Sequence, residues 1–205
     1  MHIKSKFIKD TDFEGELSIT DYCLGFDENG PLRHLNIHWN AIVHFCKTLD
    51  AAQDRAKQAI ARALSNASPE DPEGCFILEG ELECATLADE TLTKATIFIV
   101  LCSFKEFALK ELYRQLRDEE PLPAKGAFRH IQEVFTRRGI WPNDCQSGGQ
   151  LSQSAYDSVR NNFAHGDWAA LKEELPKLEL HDEFGEVISF LFKILEGMRA
   201  NGLSL

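Results

Sequence analysis

Across residues 37–64 the apolar side chains Ile37, Ala41, Ile42, Phe45, Cys46, Leu49, Ala52, Ala56, Ile60, Ala63 and Leu64 recur at helical spacing, with no Gly or Pro among them. A pattern that long and that rich in alanine predicts one long α-helix. A second stretch, Thr96-Ile97-Phe98-Ile99-Val100-Leu101-Cys102, has no polar face and alone would suit a buried strand. The helix formers that follow it, Phe104-Lys105-Glu106-Phe107-Ala108-Leu109-Lys110-Glu111-Leu112, make it the middle of a second long helix. A helix that is apolar all round is covered on several sides. The chain therefore reads as a helical bundle with this element at its centre, spanning residues 87–117, with Asp89 as N-cap and Leu92 opening the apolar series.

The rest of the chain supplies shorter pieces. Residues 65–74 form a loop rich in Pro and acid, and residues 76–82 are equally compatible with a strand, a turn or a helix start. Pro121 and Pro123 end the central helix. Phe128, Ile131, Val134 and Phe135 mark an amphipathic helix within 126–139, with Arg129, Arg137 and Arg138 outward. Helices are expected over 151–163, 168–178 and 184–199, the last apolar enough for core or dimer packing. Ser18-Ile19-Thr20 and Tyr22-Cys23-Leu24 lie ahead of Asn29-Gly30, the strongest hairpin signal in the chain. The expected architecture is all-α over residues 36–205, two long helices and several shorter ones, plus a small extended or β-hairpin segment over residues 1–35.

Composition narrows the function. With 43% hydrophobic and 27% charged residues in 205, the chain has ordinary globular make-up and enough length for one full core. No apolar run reaches the roughly 18 residues of a membrane span. Met1-His2-Ile3-Lys4-Ser5-Lys6 lacks the apolar region of a secretory signal, so a soluble cytoplasmic protein is expected. Six cysteines, none in Cys-x-x-Cys spacing, read as small hydrophobes rather than as a disulfide framework or zinc site. His34, His38 and His44 read as packed or solvated histidines, and no metal or cofactor is expected. The net charge of −11 argues against broad nucleic-acid binding, but leaves room for a local cleft of Arg and Lys. Gly-rich phosphate loops, a Ser-His-Asp order and His-Glu-x-x-His are all missing from the sequence.

Chemistry concentrates in Val159-Arg160-Asn161-Asn162-Phe163-Ala164-His165-Gly166-Asp167-Trp168. The Arg-x4-His spacing alone carries little, because Arg33 to His38 repeats it. Context separates the two: Arg160 ends an amphipathic run and is followed by amides, His165 and Gly-Asp-Trp. Residues five apart on an unbroken helix are rotated roughly 140° from one another. Arg160 and His165 would converge if the helix stopped between them, and Gly166 is a good left-handed terminator. The competing reading pairs Arg160 with Asp157 and leaves His165 to cap carbonyls. Phe163 and Trp168 read as core residues rather than base-stacking platforms.

Arg160-Asn161-x-x-x-His165-Gly166-Asp167-Trp168 resembles the signature of the HEPN superfamily: arginine, a polar residue, a short gap, then histidine. The resemblance is specific over about ten residues, and the helical layout agrees with it over about residues 36–200. It implies an all-α HEPN-like bundle and a metal-independent endoribonuclease of the toxin or defence type. The implied site is shared by a homodimer, with Arg160 and His165 catalytic, Asn161 orienting the arginine or a phosphate oxygen, and Glu106 a supporting group from the preceding long helix. Implied partners are RNA and a second copy, with any antitoxin or regulator a separate chain. The alternative in the same superfamily is a noncatalytic module that dimerises or binds nucleotides or a partner protein.

Overall fold

The computed structural model describes Gly30 and residues 32–116, 121–142, 153–177 and 180–203. Every regular element among them is helical, as expected for an all-α chain. Helix α1 is Arg33–Ser65. Helix α2 has 42 residues in three contiguous pieces: Pro72–Leu87, a π turn at Ala88–Thr93, and Lys94–Tyr113. Helix α3 is Ala127–Arg137, α4 is Gln153–His165, and α5 is Trp168–Glu174, prolonged by the 3-10 turn Leu175–Lys177. Helix α6 is Leu180–Ala200. The extended or β-hairpin segment expected over residues 1–35 lies almost wholly outside the described residues, and Arg33 to Leu35 belong to α1.

The second half of α2 is the hub. Ala95, Ile97, Phe98, Leu101, Cys102, Phe104, Ala108, Leu109, Leu112 and Tyr113 are all buried, on several sides of the helix, against α1, α3, α4 and α6. Trp39 of α1 is fully buried between Phe104 of α2 and Phe184 of α6, with ring centroids 5.1 and 5.8 Å away. Burying a side chain of that size contributes on the order of 2–3 kcal/mol, so this triple aromatic contact ties the first, central and last helices together. Helix α6 faces inward through Phe184, Val187, Ile188, Ile194, Leu195 and Met198, so its apolar face is core. Its Gly197 approaches the chain after α3 so closely that an added Cβ would sit 2.8 Å from the Ile140 carbonyl oxygen.

Three sequence expectations for α2 need correcting. The helix starts at Pro72, not residue 87: the Asp71 Oδ1 accepts the Gly74 N–H at 3.0 Å, and Pro72 fills the first helical position, where its missing N–H costs nothing. Residues 76–82 are helical. Gly74, Gly80 and the absence of any buried residue over Pro72–Leu87 erase the one-sided apolar pattern that would have revealed it. Asp89 is not an N-cap. It lies within the π turn, fully buried, with one carboxylate oxygen 2.7 Å from Lys57 Nζ on α1. At the other end the helix stops at Tyr113 rather than 117. There the Leu116 N–H bonds to the Tyr113 carbonyl at 2.9 Å, and the buried Leu116 draws the chain inward.

Beyond Asp50 on α1, and before Asp89 on α2, no residue is buried. The two helices continue there as a paired arm, with Phe76 at 76% and Ile77 at 54% exposure.

Candidate functional site

Helices α4 and α5 meet at a tight corner made from the residues of the Arg-to-Trp stretch. Gly166 takes the left-handed conformation, φ 68°, that ends α4. Its N–H donates to the Phe163 carbonyl at 3.3 Å, and the Asp167 N–H donates to the Asn162 carbonyl at 2.8 Å. This is the paired closing pattern of a helix ended by glycine. Asp167 then starts α5, its Oδ1 accepting the Ala170 N–H at 3.1 Å. Glu174, at the far end of α5, reaches back across the corner. Its Oε1 accepts from the Ser158 hydroxyl at 2.7 Å and its Oε2 from the Asn162 amide at 3.3 Å. Ser158 and Asn162 lie one turn apart on α4, so a single carboxylate clamps two turns of that helix. Sequence reasoning missed this clamp, because nothing in the order of residues links Glu174 to groups 12 and 16 positions earlier.

The stretch thus divides cleanly. Val159 is core, Asn162 is clamped, Phe163 is half-buried against the core, Gly166 ends one helix and Asp167 begins the next. Arg160, Asn161 and His165 are exposed. The Arg160 guanidinium carbon lies 6.0 Å from the centre of the Tyr156 ring, one turn back and itself buried. That separation is at the outer limit of a cation–π contact, which orients the guanidinium without consuming its hydrogen-bond donors.

Two expectations change at this point. Helix α4 runs unbroken through His165 and does not stop between Arg160 and His165. The pair therefore does not converge through an intervening helix end, and roughly 140° of helix rotation separates them. Trp168 is not a core residue. It is 44% exposed, while its ring edge meets Phe163 at 6.1 Å with planes at 89°. Of the two, only Phe163 is turned inward, packed against the core. Burying an indole here would need a further element over the corner, and among the described residues none covers it.

Glu106 lies on another level. Its Oε1 accepts from Lys110 Nζ at 2.6 Å, an i,i+4 ion pair in which both side chains are about one-third exposed. Ser103 Oγ lies 3.4 Å from the Tyr156 hydroxyl, while α5 packs on the π turn, so α4 runs antiparallel to α2. Glu106 is three residues to one side of that contact and Arg160 four residues to the other, an axial offset of roughly 10 Å at 1.5 Å per residue. The fold does not bring Glu106 to Arg160.

The second Arg-x4-His pair is integrated differently. His34 and His38 of α1 both lie edge-on to Phe107, at 6.0 and 5.1 Å, and His34 Nε2 is 3.2 Å from a carboxylate oxygen of Glu111. These histidines share one face and pack on α2. Among the described residues no cluster of three His, Cys, Asp or Glu side chains is placed to hold a metal ion. Of the described cysteines, 46, 75 and 84 are free thiols. Burial first, and then the charge of Asp50, pushes the Cys46 thiol up to about 12. No helix among the described residues is long and apolar enough to cross a membrane. No family model, curated protein or solved structure matches the chain.

Proposed function

We propose that this chain is a metal-independent endoribonuclease of the HEPN type, a toxin or defence effector whose active site is shared by two copies. The observation that carries the reading is the division of labour at the α4–α5 corner. The residues that build the corner are engaged in its packing and hydrogen bonds, while the arginine, the following amide and the histidine named by the resemblance are left facing solvent. An exposed Arg and His on a clamped, pre-shaped helix cost the fold little and are free to meet a substrate.

The chemistry follows from the side chains. A base removes the proton from a 2′-hydroxyl, whose oxygen attacks the adjacent phosphorus. The bond from phosphorus to the 5′-oxygen breaks, and an acid protonates that oxygen. The products carry a 2′,3′-cyclic phosphate and a 5′-hydroxyl. Histidine exchanges protons near neutral pH and suits either role, but one imidazole cannot stand at both ends of an in-line displacement. Arg160 holds the phosphate through paired N–H donors while charge grows on its oxygens. Asn161, next to it, orients the arginine or a phosphate oxygen. One unbroken helix turns Arg160 and His165 apart, so a second copy is needed to supply an acid opposite the base. A separate antitoxin or regulatory chain would restrain the activity.

A noncatalytic HEPN-like module is the second reading. It is favoured by the net charge of −11 and by the far part of the arm, where six acidic residues and no Lys or Arg lie within residues 63–88. A surface of that sign repels RNA.

Induced expression in a bacterial host, with wild type beside His165→Ala, separates the two readings when combined with end-group analysis of single-stranded RNA incubated with purified protein in EDTA. The nuclease reading requires growth arrest by wild type alone and cyclic-phosphate ends. Harmless wild type and intact RNA leave the noncatalytic module.

A further inference from the structure

Tyr156, Arg160 and Phe163 stand at i, i+4 and i+7 on α4 and so line one face of the helix. The chain then turns at Gly166 and returns Trp168 to the end of that row, its ring edge-on to Phe163. The indole also lies over the turn itself: a Cβ on Gly166 would sit 3.8 Å from two of its ring carbons and 3.9 Å from Nε1. One edge of Trp168 is therefore fixed by Phe163 and the turn, the Asp167 cap holds its backbone, and 44% of the residue remains open to solvent. Trp39, by contrast, is fully buried and Trp141 is partly covered by Phe128 and Phe190.

We infer that Trp168 is a stacking platform for an unpaired base of the bound strand. This rests on the ribonuclease reading of the same corner. A guanidinium with its donors free, followed along one helix face by an exposed and immobilised indole, offers one grip for a phosphate and one for a base. Splayed bases stack on aromatic faces in this way, and every base has such a face, so recognition is tolerant of sequence. Bases inside an A-form duplex already stack on their neighbours and cannot reach the indole.

The test separates binding from cleavage. In the His165→Ala background, which binds without turning over, a fluorescein-labelled oligoadenylate is titrated by anisotropy against its duplex with oligouridylate. The single strand should bind at least ~10-fold more tightly than the duplex. Adding Trp168→Ala should weaken single-strand binding by about 5- to 100-fold, the range of one lost base–aromatic stack, while Trp168→Phe stays within about 3-fold. Should Trp168→Ala fail to fold, the tryptophan emission of the folded parent reports instead, and oligoadenylate should quench its solvent-exposed component. Equal binding of duplex and single strand, undiminished binding by folded Trp168→Ala, or unquenched emission overturns the inference. So does a Trp168→Ala protein that loses its dimer and keeps its RNA affinity. None of these touches the nuclease reading, which stands or falls on cleavage by wild type.

Discussion

The Lys57–Asp89 pair offers the sharpest test of how the arm is rooted in the bundle. Asp89 is fully buried and Lys57 Nζ lies 2.7 Å from it, with 28% of the lysine side chain exposed. At an effective dielectric of about 20 their gross attraction is roughly 6 kcal/mol, most of it offset by desolvation of the carboxylate. Lys57→Met keeps the aliphatic stem and removes the charge, taking the Lys57 ammonium away from a buried carboxylate. The expected loss is about 3 kcal/mol, the low end for breaking a buried pair because Lys57 is partly wet. For a chain of this size that lowers the unfolding midpoint by about 6–12 °C. Asp89→Asn should cost only about 1 kcal/mol, since the lysine head can swing to water. The double change Lys57→Met/Asp89→Leu should recover most of the deficit, because two packed apolar groups need no partner. The pH dependence has a definite sign. The hydrogen bond to Asp89 raises the Lys57 pKa above its ordinary 10.5; desolvation opposes the shift, and the charges of Asp89, Asp54 and Glu90 add to it. A raised folded value means that the contribution is complete below the ordinary lysine range and is lost as pH climbs through the folded value. The gap between wild type and Lys57→Met, read by circular dichroism in urea, should stay level from pH 7 to 10 and close above that. A Lys57→Met protein within 0.5 kcal/mol of wild type, or a double variant no better than the single one, refutes the argument.

Three other outcomes follow from particular contacts. In the native protein at pH 8, peptide mapping after iodoacetamide should find the exposed Cys84 modified and Cys46 protected until unfolding, because a thiol at about 12 carries almost no thiolate. Gly197→Ala should destabilise by about 1–2 kcal/mol in urea, since its Cβ would meet Ile140 backbone atoms at 2.8 and 3.0 Å, whereas Gly185→Ala on the same helix meets nothing and should gain up to ~1 kcal/mol. Glu174→Ala releases Ser158 and Asn162 together and should lower the unfolding midpoint by about 2–8 °C, with Glu174→Gln affected less.

Much of the fold was legible because helix periodicity is a local property. The apolar series over residues 37–64 located α1, observed as Arg33–Ser65, and the helix formers over 104–112 made the apolar run 96–102 the middle of a helix, whose lack of a polar face put it at the centre. The start of α2 was misread because its first half buries nothing and therefore carries no pattern. The Asp71-Pro72 cap was the available signal. Asp89 looked like a cap because acidic residues usually begin helices, and its bond with Lys57, 32 residues away, accounts for it inside one. At the corner, Gly166 was readable as a terminator from its own chemistry. The Glu174 clamp was not, since it exists only once α4 and α5 fold back on each other. Exposure of Trp168 was equally hidden, because an indole next to Phe163 is ordinarily a core signal.

The central claim is that Arg160 and His165 serve chemistry and carry almost none of the fold. It is tested by measuring, on the same preparations, single-turnover cleavage of single-stranded RNA in EDTA and the thermal midpoint of wild type, Arg160→Ala and His165→Ala. Each substitution should lower the rate by at least ~100-fold, as expected for a lost acid–base or phosphate-holding group. The midpoint should shift by no more than about 2 °C, as for an exposed side chain. Unchanged cleavage, or a midpoint that falls by as much as in Glu174→Ala, would contradict it.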